Sequence, residues 1–162
     1  MIISFHDMYE RYAQDVYRFA FWLSGDTAEA EDIVSETFVR AWTASDHLEA
    51  QTVKAYLLTI ARHLYLQSRK RRGRHVELAE DLPATTPDPA ELAESHSELD
   101  AVMAVLHTLS DVDRTVLLMR AQDNLSYEEI AQANGISVAA AKVKVHRARQ
   151  KLARLRPRED HP

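Results

Sequence analysis

The chain lacks several of the residues on which common protein chemistry depends. It has no cysteine among its 162 residues, and only 3 glycines and 5 prolines. The missing cysteines exclude disulfides, thiol catalysis, Cys-ligated zinc and direct thiol redox sensing. So few glycines and prolines favour long helices over a turn-rich β fold. No apolar run approaches the ~18 residues of a membrane-spanning helix, and the N-terminus lacks the basic region and cleavage site of a signal peptide. We therefore expect a cytoplasmic protein without membrane insertion.

The charge is distributed unevenly along the chain. Its formal net charge is -5, yet residues 1–76 carry 10 basic and 10 acidic side chains. Residues 77–100 carry 8 acidic side chains and no basic one, whereas residues 101–162 carry 10 basic and 7 acidic. Two segments able to meet nucleic acid are thus joined by an acidic segment that should avoid it.

Apolar residues in the first half follow a helical period and predict three helices. The stripe of the first helix consists of Phe5, Tyr9, Tyr12, Val16, Phe19 and Leu23. Gly25 ends this helix, and Asp26 with Glu29 has the spacing of a capping box that opens a second helix through Trp42. The stripe of a third helix, expected to run to about Arg72, consists of Val53, Leu57, Ile60 and Leu64. The polar segment Thr43–Gln51 is predicted to be a loop.

The second half has its own helix signals. Gly73, two prolines and four acids in residues 73–88 predict a flexible linker. The run Asp88–Glu91 has the order of an N-cap, a first-turn proline and a capping glutamate. The apolar positions expected to pack this helix are Leu92, Leu99, Val102, Met103, Leu106 and Leu109. The predicted caps of the next three helices are Ser110, Ser126 with Glu129, and Ser137. We predict an all-α fold of two small helical domains joined by a flexible acidic linker.

The last two helices have the sequence of a helix-turn-helix. A short helix, the turn at Gly135 and a second helix with a basic, acid-free flank form a device for docking in a DNA major groove. On a helical wheel, Ala141, Val145, Ala148 and Leu152 should pack inward. Cations bordering the opposite face can neutralise phosphates, while Arg147 can pair with guanine and Val143 can touch thymine methyls. The alternative is a helix hairpin whose basic face is merely solvated.

No pattern in the sequence predicts catalysis. We find no nucleophile motif, no glycine-rich phosphate loop and no carboxylate pair in a plausible cleft. His63 has no second histidine at metal-ligand spacing. We therefore expect no enzyme activity, no cofactor and no metal site.

Two sets of motifs, in a fixed order, resemble the extracytoplasmic-function (ECF) family of RNA polymerase sigma factors. Val16–Ala20, Ala30–Trp42 and Ala55–Arg62 resemble the family's region two. The segments that resemble region four are Leu109–Arg120, Leu125–Ala131 and His146–Arg149. The resemblance implies a region two domain at 1–72, a linker at 73–88 and a region four helix-turn-helix domain at 89–162.

The resemblance also implies the surfaces that bind DNA and polymerase. Region four would bind the upstream (-35) promoter element through Ala139, Ala140, Lys142, Val143, Lys144, His146, Arg147, Arg149 and Lys151. Region two would bind and melt the downstream (-10) element through Asp46, His47, Arg62, His63, Gln67, Arg69, Lys70, Arg71 and Arg72. Core polymerase would be bound by Asp32, Ser35, Glu36 and Arg40. Three of these four advance by four residues and share one helical face.

Partners follow from the same resemblance. The first is core RNA polymerase, which would be bound through the clamp helices of its largest subunit and the flap of its second largest. The others are promoter DNA and an anti-sigma factor that holds the protein inactive. The other hypothesis is a stand-alone helix-turn-helix regulator that binds duplex DNA without polymerase. Such a regulator has no need of the Asp32/Glu36/Arg40 surface, which distinguishes the two hypotheses.

Overall fold

The computed structural model describes residues 3–44, 52–78 and 98–155, and all regular structure in these ranges is α-helical. The predicted all-α fold of two small domains is thereby confirmed. The seven described helices are α1 (Phe5–Ser24), α2 (Thr27–Thr43), α3 (Val53–Leu78), α4 (Glu98–Leu106), α5 (Asp111–Ala121), α6 (Tyr127–Asn134) and α7 (Val138–Leu155). None of them is long and apolar enough to cross a lipid bilayer.

Local capping signals set most helix ends. Gly25 ends α1 with a left-handed φ of 74°, a conformation that costs glycine little. The side chain of Asp26 then accepts from the backbone N–H of Glu29 at 3.0 Å and begins α2. The caps predicted at Ser110 and Ser137 are confirmed, because each hydroxyl accepts a backbone N–H three residues on. Satisfying these otherwise unpaired donors stabilises a helix by about 1 kcal/mol each.

The first domain packs α1, α2 and α3 around one apolar core. Val16, Phe19 and Leu23 of the predicted α1 stripe are buried. Tyr9 was expected to join them but is 45% exposed. Its ring lies against Phe38, which it contacts edge-on at 5.0 Å between centroids, and leaves part of its surface in solvent.

The helix α3 is longer than the sequence predicts. It continues to Leu78 instead of ending at about Arg72, and Gly73 lies inside it. A glycine within a helix costs only about 1 kcal/mol relative to alanine, and no proline follows until residue 83. The expected linker 73–88 therefore begins in a helix. The predicted cap at Asp88–Glu91 and the core residue Leu92 lie outside the described residues.

The second domain packs α5, α6 and α7 around Val116, Met119, Ile130 and Val145. Leu106 and Leu109, at and after the end of α4, are buried as predicted. Leu99 and Val102 were expected to pack but are 63% and 51% exposed. Both residues lie in the first half of α4, so the apolar spacing there does not report burial.

The two domains pack against each other. Helices α1 and α3 of the first domain meet α5 and α6 of the second. The contact is polar at several points, and it includes the guanidinium of Arg114, a residue only 2% exposed. The acidic segment predicted to tether the halves therefore joins domains that already share an interface.

Candidate nucleic-acid interface

The turn of the helix-turn-helix depends on one glycine. Gly135 has a left-handed φ of 64° and follows the last residue of α6. The next N–H, of Ile136, donates to the carbonyl of Ala131 at 3.0 Å. This 6→1 bond belongs to the Schellman motif, which reverses the chain within a few residues. Ser126 and Glu129 form the predicted capping box at the other end of α6. The sequence thus determines both ends of this short helix locally.

The inner face of α7 packs as the helical wheel predicts. Ala141, Val145 and Ala148 are buried, and Leu152 packs on the core at its margin. The small alanines at this face let α7 approach α6 closely. The opposite face of the helix must therefore point to solvent.

That outer face carries the residues predicted to contact the upstream element. Seven of the nine are exposed, namely Ala139, Lys142, Val143, His146, Arg147, Arg149 and Lys151, whereas Ala140 and Lys144 are half-buried. Val143 is 45% exposed, so a β-branched apolar side chain stands among cations. Such a mixture suits both phosphate and thymine-methyl contacts.

Two of the α7 lysines have partners in the second domain. The ammonium of Lys144 lies 4.0 Å from a carboxylate oxygen of Asp113, and that of Lys151 donates to the carbonyl of Thr108 at 3.0 Å. These contacts position the two ammonium groups at the border of the outer face of α7. An exposed ion pair of this kind is worth about 0–1 kcal/mol, so it can be exchanged for a phosphate contact.

A tyrosine that the sequence reasoning missed holds two further cations. The guanidinium of Arg120 lies 4.5 Å and the ammonium of Lys142 lies 5.7 Å from the ring centroid of Tyr127. These are cation–π distances, and they draw both charges to the start of α6. No periodicity signals this group, because its members come from three different helices.

The exposed flank of α3 carries most of the residues predicted to contact the downstream element. His63, Gln67, Arg69, Lys70, Arg71 and Arg72 are exposed, and Arg62 is half-buried. Asp46 and His47, predicted for the same site, lie outside the described residues. The structure therefore brings seven of the nine candidates onto one helix.

Three of these arginines already have protein partners. Arg62 donates from Nε to the side-chain oxygen of Asn134 at 2.7 Å. Arg69 lies 3.3 Å from a carboxylate oxygen of Asp111, and Arg72 lies 2.6 Å from a carboxylate oxygen of Glu29. A nucleic acid that binds these guanidinium groups must share them with a protein acceptor or displace it.

The imidazole of His63 stands among positive charges. Partial burial, and then the charges of Arg62 and Arg40, lower the pKa of His63 below its usual value. Burial also lowers the pKa of Arg62. His63 is therefore neutral at pH 7, which leaves a flat ring with a donor and an acceptor, suited to stacking with a base.

The predicted polymerase surface lies on α2. Asp32, Ser35 and Glu36 are exposed, and half-buried Arg40 pairs with Glu36 at 3.4 Å. Two large apolar residues on the same helix are also exposed, Val39 at 56% and Trp42 at 63%. Exposed apolar side chains beside charges are typical of protein interfaces. The sequence reasoning used Trp42 only as a helix end.

Within the described ranges, no group of three or more histidine and acidic side chains is arranged to hold a metal ion. The chemistry available in these ranges is binding by cations, amides and aromatic rings.

Family models match both halves of the chain. Sigma-70 region 2 matches residues 8–75, and Sigma-70, region 4 matches residues 99–152. These ranges contain the described residues that are predicted to contact the downstream element, the polymerase and the upstream element.

Several curated relatives of the chain are ECF RNA polymerase sigma factors. The chain is 34% identical to the ECF RNA polymerase sigma factor EcfG of Rhodopseudomonas palustris, over 85% of this chain and 76% of the relative. It is 32% identical to the ECF RNA polymerase sigma factor SigL of Mycobacterium tuberculosis, over 87% of this chain and 82% of the relative. SigE of Mycolicibacterium smegmatis is 34% identical over 92% of this chain, which spans 60% of that longer protein.

Solved structures share the arrangement of both domains. The sigma factor RpoE of Bartonella quintana, in complex with the anti-sigma factor NepR, is 27% identical with a TM-score of 0.81, covering 96% of this chain and 98% of RpoE. CnrH, in complex with the cytosolic domain of CnrY, is 25% identical with a TM-score of 0.68, covering 93% of this chain and 86% of CnrH. The chain belongs to the ECF family of RNA polymerase sigma factors.

Proposed function

We propose that the chain binds core RNA polymerase through α2, reads the downstream element with α3 and the segment before it, and reads the upstream element with α7. In this role it directs the polymerase to a set of promoters and helps to open the duplex. The factor itself catalyses no reaction, and it acts where polymerase and chromosome are, in the cytoplasm.

The observation that carries the proposal is the presence of three separate surfaces in one chain. A stand-alone regulator needs only the outer face of α7. It would have no use for the acidic and apolar surface of α2 or for the cationic flank of α3, which lie in the other domain. Base stacking and strand binding need cations and flat side chains, and α3 offers both.

We also propose an anti-sigma factor as the regulator. RpoE, which shares the arrangement of both domains with this chain, was solved with the anti-sigma factor NepR. The exposed apolar residues Val39 and Trp42 on the polymerase surface would give such a partner a place to compete with polymerase.

Run-off transcription tests the proposal. Purified core polymerase would be incubated with fragmented genomic DNA, with and without this chain, and the transcript starts would be mapped. Discrete starts that depend on the chain are expected, with two shared promoter elements upstream of them. A footprint by the chain alone, with no new starts, would instead support a stand-alone regulator.

A further inference from the structure

The candidates for the downstream element do not share one side of α3. An α-helix turns by about 100° per residue, so His63, Gln67 and Lys70 line the same side of it. Arg71 borders this side, and all four residues are exposed. They form what we call the open stripe of α3. Arg72 lies about 180° around the helix from His63, so it points away from the open stripe.

Arg72 has a partner inside its own domain. Its guanidinium lies 2.6 Å from a carboxylate oxygen of Glu29, in the first turn of α2. The side chain of Glu29 is only 7% exposed, whereas that of Arg72 is 56% exposed. Helices α2 and α3 pack against each other within the first domain. This ion pair therefore does not depend on how the two domains are arranged.

The buried carboxylate of Glu29 depends on this cation. Within the described part of the chain, neither of its oxygens accepts a well-aligned hydrogen bond, so the charge of Arg72 compensates its burial. Its place is set by α2, because the backbone N–H of Glu29 donates to the capping carboxylate of Asp26 at 3.0 Å. Breaking a buried pair by removing one partner is costly, since the other charge stays unpaired. A phosphate that drew Arg72 away would leave such a charge behind.

The neighbouring cations of the open stripe have no such partner. Residues 69–72 are all cationic, and the first and the last of them pair with carboxylates. Among the described residues, Lys70 and Arg71 pair with none. A groove that follows a single strand needs cations that are free to meet phosphates. Lys70 and Arg71 meet this requirement, and Arg72 does not.

We infer that Glu29 is a positioning residue for the downstream surface: it holds Arg72 against α2 and away from DNA. The strand backbone then meets Lys70 and Arg71 on the open stripe, on the side where His63 can stack with a base. This inference rests on the proposed function for the identity of the DNA surface. It changes the predicted role of Arg72 from a DNA contact to a link between α2 and α3.

The salt dependence of binding to fluorescent mixed-sequence single-stranded DNA distinguishes these cations in the full chain. Each phosphate contact that is lost reduces the slope of log K against log salt by about 0.7. Lys70→Gln and Arg71→Gln should each reduce the slope by this amount. The double variant Glu29→Gln with Arg72→Gln leaves no unpaired buried charge and should keep the slope of the parent. A double variant that loses as much slope as Arg71→Gln would overturn the inference.

Glu29→Gln alone should release Arg72 to DNA. The slope should then rise by up to about 0.7, and adding Arg72→Gln should restore the parent value. A residue with a merely structural role would not increase the salt dependence. The matched control is Glu31→Gln, because Glu31 is an exposed neighbour on α2 and loses the same charge. Equal slopes for Glu29→Gln and Glu31→Gln would contradict the inference.

A double-mutant cycle in urea tests the ion pair without DNA. Glu29→Gln and Arg72→Gln should each lower the unfolding midpoint, and together they should lower it by less than the sum of both effects. The cycle of Glu29→Gln with Arg71→Gln should be additive. Additivity in the first cycle would show that Arg72 does not hold the carboxylate, which overturns the inference. If the chain bound no single-stranded DNA, the proposed downstream surface would fail, and the cycle would still report on the link between Glu29 and Arg72.

Discussion

Arg62 of α3 donates a 2.7 Å hydrogen bond to the side-chain oxygen of Asn134, which lies 72 residues later in the helix-turn-helix. The contact joins a residue predicted for the downstream element to the domain predicted for the upstream one. Asn134 also donates to the carbonyl of Ile130 at 2.8 Å, so its amide is held in the orientation that Arg62 requires. Domain docking thus engages a side chain that is also predicted to recognise the promoter.

Replacing Arg147 with alanine should weaken and relax recognition of the upstream element by ~1–3 kcal/mol, because a guanidinium that pairs with a base edge carries sequence information. Lys144→Ala is the matched control. It should weaken binding to all duplexes alike and reduce the salt slope by about one. Binding to a randomised duplex pool at two salt concentrations measures both. An unchanged sequence preference in Arg147→Ala would show that another face of α7 reads the bases.

Asp32→Ala combined with Glu36→Ala should lower the affinity for core polymerase and leave upstream duplex binding intact, because both carboxylates are exposed on α2, away from α7. Loss of charged interface contacts acts on both the association rate and the affinity. The control is Glu31→Ala, an exposed neighbour on the same helix. Fluorescence anisotropy of labelled protein titrated with core polymerase would measure the change. Equal weakening of polymerase binding by the double variant and by Glu31→Ala would indicate a general charge effect.

Replacing Asp123 with asparagine should stabilise the protein above pH 6. Burial raises the pKa of Asp123 to about 6 from 3.8, against the opposing attraction of Lys54 at 3.6 Å. Because the native pKa is raised, the protonated carboxyl of Asp123 favours the native state. This contribution to stability is complete below about pH 3.8 and is lost as pH rises through about 6. The shift of about two units corresponds to about 3 kcal/mol.

Urea unfolding at pH 4 and pH 7.5 tests this prediction. Asp123→Asn and the parent should differ little at the lower pH, and the variant should be more stable at the higher one. An identical difference at both pH values would mean that the carboxyl of Asp123 is not desolvated in the native state.

Replacing Arg114 with methionine should lower the free energy of unfolding by about 3–5 kcal/mol, because the buried carbonyls of Leu23 and Leu109 lose their donor and Asp111 keeps only Arg69 as a charged partner. Arg114→Lys should rescue little, since an ammonium cannot match the directions of the separate acceptors around a planar guanidinium. Chemical denaturation of all three proteins measures the effect. Full stability of the lysine variant would show that charge alone, without the fork geometry, holds the site.

Gly135→Ala should cost about 1 kcal/mol of stability, and Gly135→Asn should cost less. The φ of 64° at this position disfavours a β-carbon, yet asparagine tolerates the left-handed region better than alanine does. No other atom lies within 4 Å of a β-carbon placed there, so the cost is conformational and not steric. Thermal unfolding of both variants provides the measurement. Equal melting temperatures for alanine, asparagine and glycine would show that this turn is not strained.

The elements that the sequence predicts well have local causes. Gly25, Ser110, Ser126 and Gly135 act on backbone groups within a few residues, so their effects are readable from spacing alone. The inner face of α7 follows from its own period. These signals suffice for the helix order and for the placement of the exposed outer face of α7.

The parts that the sequence does not predict depend on distant partners. The residues around Arg114 give no sign that its acceptors include Leu23 and Tyr65, far away in the chain. Leu99 and Val102 have the spacing of a buried stripe, yet both are largely exposed. The docking of the domains is determined by such long-range contacts. The roles of the individual DNA-contacting residues stay predictions for the same reason.

Promoter opening tests the central claim most directly. A promoter identified by run-off transcription would carry 2-aminopurine in its downstream element, and its fluorescence would be followed on adding core polymerase, the chain, or both. The account predicts a rise only when both are present, because unstacking of the base requires the factor on the enzyme. No rise with both present, together with protection of the duplex by the chain alone, would contradict the assignment as an initiation factor.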